Sequence, residues 1–112
     1  MVDVSTPEDA TLGGYLRVHE RPPAFEGPDG AAYSVAMFAD DAPVASGLFG
    51  AALLFIRWSR SGEQPEGHVE TEFLMFARSP TDAVDQLKAL TLWEIKRHLD
   101  LAVAAKGGET AW

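Results

Sequence analysis

Residues 48–59 read LFGAALLFIRWS, and residues 68–78, after a loop containing Gly62, Pro65 and Gly67, read HVETEFLMFAR. The first stretch runs for nine residues, Leu48 to Ile56, without a charge and ends at Arg57. It is too short to cross a membrane, which takes about 18 consecutive apolar residues. Bounded by glycine and proline on both sides, the two stretches read as neighbouring strands of one antiparallel hairpin.

Working outward, residues 31–39 form another strand, with Tyr33, Val35 and Met37 on one face. It is preceded by Gly27-Pro28-Asp29-Gly30. In that turn proline presets φ, the aspartate side chain can bond the backbone ahead, and glycine accepts a left-handed conformation. Residues 15–20 alternate apolar and polar and read as a short strand. Pro22-Pro23 beside it lacks backbone donors, which places it at a sheet edge. Downstream, Ser79-Pro80-Thr81-Asp82 opens a helix, with serine as cap and proline preorganised at the first helical position. The spacing predicts one helix over 80–106, stopped by Gly107-Gly108. The fold class is therefore α+β, a four-stranded antiparallel meander followed by one long C-terminal helix on one face of the sheet. The expected organisation is an acidic flexible tail over 1–14, a single domain over 15–106 and a short tail over 107–112.

Side-chain parity assigns the two faces of the hairpin. Placing Arg57 opposite Glu70 puts Phe55 opposite Glu72, Leu53 opposite Leu74 and Ala51 opposite Phe76. The other face then holds Ala52, Leu54, Ile56 and Trp58 against Val69, Thr71, Phe73 and Met75, with no charge. That uncharged face is the expected seat of the helix, since a one-residue slip would mix charges into it. The face carrying Leu53, Phe55, Leu74 and Phe76 remains apolar in its middle, although a sheet face turned to water should be mostly polar. Three occupants could cover it: a second copy of the chain, the segment around Pro22–Phe25, or an apolar ligand. Two-fold homodimers are the commonest oligomers, so self-association is the favoured expectation. Trp93, on the polar side of the helix near Asp82, Lys96 and Asp100, is a further interface candidate.

Few constellations carry chemistry. In the expected register Arg57, Glu70 and Glu72 form a charged group at one end of the sheet. It reads first as cross-strand support and second as the pocket of a small-ligand or divalent-cation binding protein or of an enzyme, although Arg57 between the two glutamates opposes the raised carboxyl that acid–base work needs. Glu94 and His98, four residues apart on the helix, share a face and could contribute two metal ligands, but two ligands do not make a site. His19-Glu20-Arg21 reads as mixed charge protecting an edge strand. No dinucleotide-binding glycine motif, Walker loop or nucleophile elbow is present, and no motif asks for a cofactor.

Composition bounds the rest. The chain has 112 residues, 17 acidic and 9 basic, for a net charge of −8, and no cysteine. The absence of cysteine removes disulfide scaffolds, thiolate zinc sites and cysteine nucleophiles. The charge argues against nucleic acid and against anionic membrane surfaces. The first 14 residues carry Asp3, Glu8 and Asp9 and lack the basic and apolar regions of an export signal, so the cytoplasm is the expected compartment. The function expected from the sequence is a non-enzymatic, homodimeric interaction or assembly module, with a possible protein partner.

Overall fold

In the computed structural model, which describes residues 8–107, β3 (Phe49–Trp58) is the axis of the molecule. On one side it pairs along eight residues with β2 (Ala32–Ala39), from Ala32 opposite Trp58 to Ala39 opposite Ala51. Beyond β2 lies β1 (Ala24–Glu26), with Phe25 opposite Tyr33. On its other side β3 pairs with β4 (Pro65–Glu70) and then with β5 (Met75–Ala77). The sheet is antiparallel throughout, with the order β1-β2-β3-β4 and β5 beside β3. The class is α+β, as the sequence predicts.

The predicted fourth strand is present in two pieces. Between Leu54 opposite Glu70 and Ala51 opposite Met75, β3 advances three residues while the facing chain advances five. The two extra residues form a break over 71–74. Thr71 keeps β3 satisfied across it. Its backbone N–H donates to Leu53 O at 3.0 Å, and its hydroxyl oxygen accepts from Leu53 N at 3.1 Å. Leu74 N then donates to Ala51 O at 2.8 Å, and pairing resumes. Because the insertion is even, side-chain alternation stays in phase from β4 to β5.

The expected register is corrected by this pairing. Leu54, not Arg57, lies opposite Glu70, and Phe55 faces Val69. Odd residues pair with odd ones, which exchanges the two faces. The helices therefore sit over Tyr33, Val35, Ala51, Leu53, Phe55, Val69 and Ala77. The physical reason is that Arg57 finds its carboxylates elsewhere, on Asp29 and Glu66, so nothing draws Glu70 opposite it.

Three helices build the second layer. Segment 15–20 is helical rather than extended, within α1 (Leu12–His19). Thr11 caps its start, its hydroxyl accepting from Gly14 N at 3.1 Å, and Glu20 ends it in the left-handed conformation at φ 55°. Gly13 and Gly14, two consecutive glycines, are poor helix formers. Here they permit close packing. A methyl group on Gly14 would overlap the carbonyl of Glu8, which lies in a 3-10 turn over Glu8–Ala10. Leu12 is buried in the core, so this part of the expected tail belongs to the domain, while residues 1–7 lie outside the described residues.

The single long C-terminal helix expected from the sequence is two helices, α2 (Pro80–Leu87) and α3 (Leu92–Gly107). Ser79 caps α2 as predicted, its hydroxyl accepting from Asp82 N at 3.1 Å. The second start is a capping box, Thr91-Leu92-Trp93-Glu94. Glu94 N donates to Thr91 Oγ1 at 3.0 Å, and Thr91 N donates to Glu94 Oε1 at 2.9 Å. This reciprocal pair satisfies donors that a helix start otherwise leaves bare. The break lets both helices turn their apolar sides to one sheet face: Ala83 and Leu87 from α2, and Ile95, Leu99 and Val103 from α3.

Candidate functional site

All three helices contribute their buried side chains to the odd-numbered face. On the even-numbered face of β2 and β3 stand Ala32, Ser34, Ala36 and Phe38 beside Trp58, Ile56, Leu54 and Ala52. Among the described residues no helix packs there. The shortest extent of the molecule is 22 Å, enough for one sheet and one layer of helices about 10 Å apart.

This face is apolar and its polar atoms are internally satisfied. Trp58 Nε1 donates to Ser34 Oγ at 2.9 Å. At the other end Phe73, from the break, lies over Gly50. A methyl group on Gly50 would approach the Phe73 ring to 2.5 Å, so glycine is what admits the ring. Phe73 meets Phe76 edge-on, with centroids 6.1 Å apart, and Phe76 is 44 % exposed. Ala52 is buried yet lies outside the core cluster, at the floor of this second apolar patch. Charge is confined to the flanks: Glu26 on β1 pairs with Ala32, and Glu70 on β4 pairs with Leu54.

The predicted interface residues divide. Leu53 and Phe55 are 0 % exposed and belong to the core, because the register turns them toward the helices. Leu74 is half-buried and packs on that same core. Phe76 alone of the four sheet residues lies on the open face. Trp93 is 71 % exposed at the start of α3. Leu54, Ile56 and Trp58, expected beneath the helix, form the open face instead. The strand 31–39 carried the signal that could have found this. Its larger residues, Tyr33, Val35 and Met37, alternate with the smaller Ser34 and Ala36.

The charged group does not assemble as expected. Arg57 points to the helix side at the end of the sheet, where Nε donates to Asp29 Oδ2 at 3.1 Å and Nη1 to Glu66 Oε1 at 3.3 Å. Tyr33 donates its hydroxyl to the same Asp29 oxygen at 2.9 Å, and Ala31 N donates to Asp29 Oδ1 at 3.2 Å. Burial alone would raise the Asp29 carboxyl, but these donors hold it below 3.8. Burial, with the Asp29 carboxylate beside it, pushes the Tyr33 phenol up to about 12. The cluster ties the turn at Asp29 to the ends of β2, β3 and β4. Glu70 and Glu72 instead border a hollow with Leu74, His98 and Leu101.

Glu94 is engaged in the capping box of α3, and its carboxyl is lowered by the hydrogen bonds at Thr91. Among the described residues no group of three histidine or carboxylate side chains is placed to hold a metal ion. His19, expected on a strand, is on α1. It pairs with Asp9 at 3.0 Å and stacks on Tyr15 with ring centroids 4.1 Å apart, fastening the 3-10 turn to the helix. Among the described residues no helix is long and apolar enough to cross a membrane.

These features define a two-layer α+β protein with helices on one sheet face and an apolar second face. No family model, curated protein or solved structure matches the chain.

Proposed function

We propose that the protein is a non-enzymatic assembly module whose open sheet face pairs with the same face of a second copy. The observation that carries this reading is that Phe38, Leu54, Ile56 and Trp58, all half-buried, and the exposed Phe76 share a face over which no helix packs among the described residues. Its area is in the range required. At about 4.8 Å between strands and about 3.3 Å per residue, the 30 strand residues of the sheet span a plan area of roughly 480 Å². Two copies would bury about 1,000 Å², the lower bound for a specific interface. The position of the charges suits such pairing, since Glu26 and Glu70 flank the patch rather than interrupt it.

Light scattering across a dilution series tests this. The wild-type mass should be that of two chains at the highest concentrations and fall toward one on dilution. Leu54→Lys should give one chain throughout with an unchanged circular dichroism spectrum. A wild-type monomer at every concentration, or a Leu54→Lys variant that is folded and still paired, would overturn the reading.

A further inference from the structure

A second unpartnered surface lies at the far edge of the sheet. The break over 71–74 leaves a hollow of about 360 Å³ between that edge and α3. Its apolar half is Leu74, Leu101, Ala102 and Ala105. Leu101 is 61 % exposed on a helix whose buried stripe of Ile95, Leu99 and Val103 is complete without it. Its polar half includes Glu70, Thr71 and Glu72 from the sheet edge and His98 from α3. Neither glutamate forms an ion pair among the described residues, whereas Glu8, Asp9, Asp29, Glu66, Asp85 and Asp100 all do. Lys106 borders the adjoining hollow beside Glu70.

We propose that this groove docks a short basic amphipathic segment of another protein. An apolar side chain of that segment seats against Leu74 and Leu101, and flanking lysines or arginines meet Glu70 and Glu72. Charge selects this occupant. A second copy seated symmetrically here would bring the same two carboxylates, so like would face like. A lone divalent cation would find Glu70 and Glu72, but among the described residues no third histidine or carboxylate, His98 included, is placed with them to hold it. An apolar anchor with cationic flanks uses both halves of the groove, in the manner of an amphipathic segment laid along a helix groove. The inference stands apart from self-association through the open face.

The test is a titration of the ¹⁵N-labelled full chain with two acetylated synthetic peptides, one an amphipathic repeat of leucine and lysine, the other with glutamate replacing lysine. The lysine peptide should shift the amides of Thr71, Leu74, Leu101 and Ala105, and the glutamate peptide should not. Binding should weaken at least tenfold in Glu70→Gln/Glu72→Gln, whose exposed side chains leave the fold intact. It should also weaken in about 1 M salt, where the screening length is about 3 Å. Leu101→Ser should reduce it independently of salt. No shift at millimolar peptide, equal shifts with both peptides, shifts centred on Leu54 and Ile56, or indifference to the double substitution would each overturn the proposal.

Discussion

The two faces of β3 have nearly the same composition and opposite surroundings. Ala51, Leu53 and Phe55 lie under three helices, while Ala52, Leu54 and Ile56 lie on the face without one. What separates them is the partner strand. Val69 falls opposite Phe55, and the first face continues into the helices. Glu70 falls opposite Leu54, and the second face ends in a carboxylate at the sheet edge. Apolar content along one strand therefore does not say which side is the core; the neighbours' parity does.

Substitutions on the two faces of β3 should have unequal effects. The largest effects should come from the covered face. Phe55→Ala should cost about 3–5 kcal/mol and Leu53→Ala about 2–5 kcal/mol in urea unfolding, since both leave cavities in a filled core. Leu54→Ala, on the open face, should cost less than half as much when measured at dilutions where the chain is single. Equal losses for Leu53→Ala and Leu54→Ala would mean that both faces are covered.

Gly50→Ala sharpens the contrast. Replacing a strand glycine with alanine ordinarily stabilises. Here the new methyl would meet the Phe73 ring at 2.5 Å, so a loss of about 1–3 kcal/mol is expected. Phe73→Ala should relieve it, and the double variant should lose less than the sum of the two single ones. Smaller still is Thr91→Ala, which removes half of the capping box that begins α3. A loss of about 1 kcal/mol is expected, checked by the same unfolding measurement.

The Asp29 cluster gives the subtlest effect, read as a dependence on pH. The Asp29 carboxyl is lowered in the folded state, so its ionised form stabilises the fold above about 3.8, the ordinary value. That contribution is lost as pH falls through the lowered value. The stability difference between wild type and Asp29→Asn should therefore persist from neutral pH down to about 3.8 and close only as pH falls below that through the lowered value. Tyr33 titrates in the other direction. Its phenol is raised to about 12, so the stability held by the protonated form is complete below pH 10 and is lost as pH rises from 10 toward 12. Tyr33→Phe should flatten that alkaline loss in thermal unfolding.

The class, the central hairpin, the turn at Asp29 and the start of α2 were legible in the sequence, because each rests on a local signal: hydrophobic runs, a Pro-Asp-Gly turn and a Ser-Pro cap. The division of the C-terminal helix was legible too, in Thr91-Leu92-Trp93-Glu94, but the continuous apolar spacing across 84–99 concealed it. The first helix was hidden by Gly13 and Gly14, whose role is the close approach of Glu8 and Lys88, a tertiary matter. The register was hidden for a similar reason. Arg57 pairs with Asp29, 28 residues earlier in the chain, and no local pattern announces that contact. One helical layer leaves one sheet face without helices among the described residues, and the register decides that the even-numbered residues stand on it.

The most direct test of which face assembles is an isotope-filtered nuclear Overhauser experiment on an equal mixture of labelled and unlabelled chains. Contacts between chains should link the methyl groups of Leu54 and Ile56 to the Phe38, Trp58 or Phe76 rings of the other copy. Inter-chain contacts at Leu53, or none at concentrations where scattering reports two chains, would contradict the assignment of the even-numbered face as the interface.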